Sequence, residues 1–284
     1  MKLKKKTARK KEAVRPPRPE EKGEPKRTPV YLVGDYEMVA DFTTLCSSHG
    51  YFVFFHFNSP PEQERLLDSR FSKKSAQIPR DISFALELTN IDLEQKRLNL
   101  EQLDRALPAS TVIASSSVTV SATEQSSWIK HKNRLVGCSA LPSISEKPLI
   151  EIAPTAFTPT GTVSIVQRFF QSIGKEIELV QDRVGMVFPR IVCQMINEAA
   201  FALQEEIATP REIDVAMKVG ANYPLGPIEW ADRIGLEHVY AVLKALHTDL
   251  GENRYCVAPL LKQMAVSGSW WHRAHAPNEE RNSA

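Results

Sequence analysis

Short apolar runs alternate with amphipathic stretches along residues 29–180. Residues 29–33 (PVYLV) and 51–55 (YFVFF) are unbroken apolar runs of strand length, the second suited to burial on both faces, and residues 36–48 between them carry helical spacing. Together they predict a β-α-β opening. Residues 82–88 (ISFALEL) predict a third strand. A helix over 93–106 follows, in which Leu98 and Leu103 stand among Glu, Lys, Gln and Arg, and Leu107-Pro108 ends it. Further strands are predicted at 111–115, 134–140, 149–153 and 176–180, with a helix over about 161–173 supplying a crossover. Such alternation makes a mostly parallel sheet flanked by helices, an α/β domain.

Strand signals stop at Gly185. Residues 186–207 are a long apolar helical run, and Thr209-Pro210-Arg211-Glu212 joins a capping-box Thr and Glu to a proline at the first helical position. Further helices are predicted around Trp230, over 236–250 and over 257–265, after the Pro/Gly-punctuated turn 222–227 (NYPLGP). The expected organisation is an α/β domain over 28–184, an all-α domain over 185–268 and tails at 1–27 and 269–284.

Composition adds an asymmetry. The chain of 284 residues is 42% hydrophobic and 25% charged, a soluble globular balance, and no stretch approaches the ~20 unbroken apolar residues of a membrane-spanning helix. Residues 1–27 hold 12 of the 36 Lys+Arg and only 4 of the 34 Asp+Glu, so a strongly basic head precedes a net acidic body. A segment this basic, Pro-rich and poor in aromatics buries too little apolar surface to order itself, so a disordered tail able to touch anionic surfaces is expected. The four cysteines are widely separated, with no Cys-x-x-Cys and no paired His at metal-ligand spacing; this predicts buried thiols in a reducing cytoplasm and no metal site.

The local motifs carry more. Residues 93–97 (LEQKR), 113–117 (IASSS), 149–152 (LIEI), 196–199 (INEA), 212–217 (EIDVAM) and 223–227 (YPLGP) stand in the order and spacing of the 3-hydroxyacyl-CoA dehydrogenase family, which the chain resembles from about residue 29 to 268. The resemblance implies a Rossmann-like NAD-binding domain followed by a helical domain that supports a homodimer. It also implies NAD-linked oxidation of the 3-hydroxyl of an acyl-CoA. By position it assigns Gly34 and Ser115 to the cofactor, Ser116, Ser117 and Arg190 to the substrate, and Ser139 and Glu151 to the catalytic pair.

Several of those positions depart from the family pattern. A Gly-rich turn lets the backbone approach a pyrophosphate at a helix N-terminus, and an acidic residue closing the second strand holds the ribose. Here residues 33–39 (VGDYEMV) keep only the first glycine, with Tyr36 and Val39 at the other two positions, Asp35 and Glu37 adding negative charge, and Phe57 at the acidic position. The family's catalytic His becomes Ser139 in residues 137–143 (GCSALPS), a hydroxyl that stays protonated near neutral pH, while Glu151 keeps the partner position. Of the histidines, His56 follows a strand towards the cofactor edge. The expectation is a dehydrogenase scaffold with weak or lost hydride transfer. The alternatives are a non-catalytic acyl-CoA-binding or interaction protein on the same fold, or other acyl-CoA chemistry through Ser139 and Glu151.

Overall fold

The computed structural model describes residues 28–59, 67, 69–143 and 148–268. The expected basic head and the C-terminal tail lie outside the described residues. Eight strands form one sheet: β1 Val30–Gly34, β2 Val53–Phe57, β3 Ser72–Lys74, β4 Phe84–Leu88, β5 Val112–Ser116, β6 Leu135–Cys138, β7 Leu149–Pro154 and β8 Glu176–Leu179, in the order β3-β2-β1-β4-β5-β6-β7-β8. Strands β1 to β6 run parallel, β7 is antiparallel to β6, and β8 pairs parallel with β7. The edge strand β3 has only three residues, two of them exposed lysines, and its polar sequence gave no periodic signal.

Helices α1 Tyr36–Ser48 and α4 Thr160–Ser172 cover one face and α2 Leu93–Ala106 the other; the short α3 Ala122–Ser127 follows β5. Both faces are therefore apolar, and β1, β4 and β5 are buried at every position. Phe84 of β4 stacks on Phe169 of α4 with centroids 4.0 Å apart, which fixes that helix over the middle of the sheet. On the opposite face α2 departs from its sequence reading. Leu98 is 48% exposed, and the buried stripe is Lys96, Asn99, Leu100, Leu103 and Asp104. Three polar side chains in a buried stripe require partners, and each has one in the sheet or its loops.

After β8 the chain is helical: α5 Phe188–Gln204, α6 Pro210–Val215, a π turn at Ala216–Gly220, α7 Pro227–Ile234, α8 Leu236–Leu250 and α9 Pro259–Ser267. Thr209 accepts from the Glu212 amide while Glu212 returns the bond to the Thr209 amide, so the expected capping box forms. Helices α5, α7, α8 and α9 enclose a second core that takes in Val118 and Leu141 from the sheet's loops. Three of the four cysteines are buried as expected; Cys256 is exposed. No helix among the described residues is long and apolar enough to cross a membrane.

Candidate functional site

In an open parallel sheet, ligands lie beyond the carboxyl ends of the strands where the strand order reverses, here between β1 and β4. Gly34 closes β1 at that point with φ +150°. A Cβ on it would come within 2.4 Å of the Leu88 carbonyl carbon, and the next amide, Asp35, donates to Leu88 O at 3.2 Å. The glycine is thus required by the approach of β1 to β4, with or without a ligand. Next in the chain, Tyr36 meets Phe57 edge-on at 4.9 Å, an aromatic pair at the two positions where the sequence reading expects a glycine and a ribose-binding acid to have been replaced. The Asp35 carboxylate accepts from the Asn90 amide at 2.7 Å, from the Ile91 amide at 3.4 Å and from Asn58 Nδ2 at 3.3 Å. Burial raises its pKa, opposed by those bonds and by the charge of Lys96.

Behind this turn the polar groups are engaged with one another. Asn58 donates to Thr89 Oγ1 at 2.8 Å and accepts from Asn99 Nδ2 at 2.9 Å. Glu87, fully buried in β4, contacts the Lys96 ammonium and accepts from Ser115 Oγ at 2.8 Å and from the Thr89 amide at 3.1 Å. Ser116 donates to Asn90 Oδ1 at 2.6 Å, and Ser117 donates to Ser115 O while accepting from Gln125. All three serines are fully buried, their hydroxyls engaged inside the protein. Against the family pattern as read from the sequence, Tyr36 stands at the closest-approach glycine, Phe57 at the ribose acid, and the Asn90 and Ile91 amides of the loop after β4 are taken up by Asp35.

Ser139 and Glu151 are neighbours across the β6–β7 edge. The Ser139 amide donates to Glu151 O at 3.0 Å, and Ser139 Oγ accepts from the Glu151 amide at 2.9 Å. The Glu151 carboxylate points elsewhere, accepting from the Val187 and Phe188 amides at 2.9 and 2.7 Å at the start of α5. It satisfies two of that helix's orphan N–H groups and complements its dipole. Glu151→Ala is expected to cost about 2–3 kcal/mol in urea unfolding, and Glu151→Gln, which keeps one acceptor oxygen, about half as much. A neutral effect of both would show that the cap is dispensable. Arg190, in the first turn of α5, donates to Tyr255 Oη at 3.0 Å with its guanidinium over that ring, a packing contact inside the helical layer. His56 lies in β2 beside Val33, its pKa lowered by burial and then by Lys74.

Two groups that the sequence did not assign to the site stand out. A cleft of about 740 Å³ opens between the loops after β4 and β5 and the helices α8 and α9. Thr119 lines it, 6% exposed, with a buried hydroxyl that has no hydrogen-bond partner among the described residues. It stands two positions beyond the serine run that the sequence singled out. The second is His238 in the first turn of α8, fully buried, with both ring nitrogens unpartnered among the described residues. Burial lowers its pKa, against the charges of Glu237 on its own helix and Glu37 on α1. The unfolded chain therefore holds this proton more tightly, so the stabilisation is present above the ordinary value of 6.5 and is lost as pH falls below it. Urea unfolding at pH 5.5 and 7.5 is expected to show lower stability at the acid pH, and His238→Phe a flatter dependence; equal slopes would exclude His238 as its source.

The fold and the crevice define a class: a Rossmann-type sheet of the dehydrogenase kind with a helical second layer. The family model for the 3-hydroxyacyl-CoA dehydrogenase NAD binding domain matches residues 63–183, and that for the C-terminal domain of the same enzymes matches residues 185–274. The chain belongs to the 3-hydroxyacyl-CoA dehydrogenase family, whose members are NAD-dependent oxidoreductases. It is 32% identical over 185 residues to a 3-hydroxybutyryl-CoA dehydrogenase of Clostridioides difficile, covering 65% of this chain and 66% of that one. It is also 32% identical over 166 residues to a probable 3-hydroxybutyryl-CoA dehydrogenase of Bacillus subtilis, covering 58% of each. The chain thus spans less than two thirds of the length of these curated relatives. The crystal structure of (S)-3-hydroxybutyryl-CoA dehydrogenase from Ralstonia eutropha superposes with a TM-score of 0.72 at 25% identity, over 87% of this chain and 96% of that one. The match to the NAD-binding model begins after the β1–α1 turn, so it says nothing of Gly34, Asp35 or Tyr36.

Proposed function

We propose that this chain keeps the dehydrogenase scaffold without the family's hydride transfer and acts by binding. The observation that carries this reading is the closed crevice: Asp35 on the loop amides, Tyr36 against Phe57, and the serine hydroxyls turned inward. At the base position, Ser139 spends its oxygen on the Glu151 amide, and the Glu151 carboxylate caps α5. Loss of a general base alone costs about 10²–10⁴ in rate. NADH is expected to show no fluorescence change on titration with the protein, and an acetoacetyl-CoA-type substrate to produce no NADH oxidation above background. Robust turnover refutes the reading.

What the cleft binds is the second part of the proposal. Its size is that of a small-molecule site, and the Thr119 hydroxyl with an apolar lining supports an acyl-CoA as occupant. Its charge favours the interaction-protein alternative: Glu124, Glu237 and Asp249 line it against Lys244 alone, a poor complement to the phosphates of CoA. Calorimetry with acyl-CoA and NAD in separate titrations separates the readings: acyl-CoA alone supports a carrier, both restore the enzyme, and neither supports an interaction protein. We further infer a homodimer through the helical layer, supported by the exposed apolar side chains Ile207, Val215, Val219 and Tyr223 around α6.

A further inference from the structure

The cleft between the sheet loops and the helices α8 and α9 carries unbalanced charge. Glu124 of α3 and Glu237 and Asp249 of α8 line it together with one ammonium, Lys244. None of these four side chains holds an ion pair among the described residues. The acids do not converge on a point either: no group of three His, Cys, Asp or Glu side chains among the described residues is placed to hold a metal ion. Negative charge spread along a rim suits an extended organic cation better than a bare ion.

Below that rim the lining is apolar. Ile91 and Leu93 at the start of α2 and Val266 near the end of α9 are 48%, 41% and 74% exposed, and all three line the cleft. Exposed aliphatic groups gathered at a concave site mark a binding surface. Thr119 supplies an independent sign of a ligand. It lines the same cleft, is 6% exposed, and its hydroxyl has no hydrogen-bond partner among the described residues. A buried hydroxyl left without a partner is costly, and an occupant with a polar atom on an apolar body relieves that cost. The volume of about 740 Å³ accommodates a molecule of that kind.

We propose that the cleft binds an organic amine, with its apolar body on Ile91, Leu93 and Val266, a polar atom at Thr119 and its ammonium at the rim of Glu124, Glu237 and Asp249. The phosphates of an acyl-CoA bring the opposite charge to this rim. The assignment rests on the reading that the chain acts by binding, and it gives the occupant a chemical class.

The probes are dansylcadaverine and dansyl-aminohexanoate, which share a fluorophore, a sulfonamide and an alkyl chain and differ in the sign of the terminal charge. Fluorescence titration of the full-length chain at low salt is expected to show the cationic probe binding at least about tenfold more tightly than the anionic one. In ~1 M salt, where the screening length is about 3 Å, that preference should collapse. The variant E124Q/E237Q/D249N should lose the preference at low salt, and T119V should weaken both probes, with unfolding curves confirming that each variant is folded. Equal affinity for the two probes, tighter binding of the anion, binding of neither, or affinities unchanged by salt and by both variants would each overturn the proposal. NADH oxidation with an acetoacetyl-CoA-type substrate, measured in parallel, separates the two levels. Turnover refutes the reading that the chain acts by binding alone, whereas failure of the cationic probe without turnover refutes only the amine.

Discussion

Gly34→Ala is expected to lose more than about 3 kcal/mol of stability and to express largely unfolded, through the sheet alone and whether or not a nucleotide binds. The backbone at Gly34 has φ +150°, where a side chain costs about 1–3 kcal/mol, and the added Cβ would lie 2.4 Å and 2.6 Å from the carbonyl carbon and oxygen of Leu88. Those are backbone atoms of the paired central strand and cannot rotate away. Relief requires β1 and β4 to separate where Gly34 pairs with Leu88, which also breaks the Asp35 to Leu88 bond. Against the 5–15 kcal/mol of a typical domain, the loss is a large fraction of the total. Urea unfolding followed by circular dichroism measures it. A change within about 0.5 kcal/mol of wild type would mean that the glycine serves a bound nucleotide and not the sheet.

Lys96→Met is expected to cost about 3–5 kcal/mol, because it strips the ammonium from a carboxylate that has no route to water. Lys96 and Glu87 are both fully buried, and the ammonium also donates to Thr89 O at 2.8 Å. Ser115, the Thr89 amide and Asn99 remain on Glu87 in the variant, yet none of them carries a charge. The double variant Glu87→Gln/Lys96→Met should recover a substantial part of the loss, since the amide oxygen can keep the Thr89 and Asn99 donors while its NH2 donates to Ser115 Oγ. The double-mutant cycle therefore separates the cost of an orphaned charge from the value of the pair. If the single and double variants unfold at the same urea concentration, the network at the nucleotide crevice is not held by this pair.

Much of the architecture was legible because it rests on local periodicity. Helices α1 and α2 run over the residues that their spacing marked, and the capping box at Thr209 forms where its residues announced it. Of the two leucines noted in α2, Leu103 is buried and Leu98 is exposed, and the polar members of the buried stripe gave no signal. Periodicity assumes that buried means apolar, and Lys96 is buried because Glu87, nine residues earlier on another element, calls for it. Thr119 was missed for a related reason: a run of three serines drew attention to hydroxyls that point into the protein, while the unpartnered hydroxyl stands two residues further on.

The same division holds for the chemistry. Residue identities alone determined the family, because motifs depend on which side chains occur at which spacing. Only the tertiary structure decided what the retained groups do: Gly34 admits a neighbouring strand, Glu151 caps a helix, and Ser115 serves a buried acid. A side chain's role is set by the atoms it meets, and those come from parts of the chain that no linear spacing brings together.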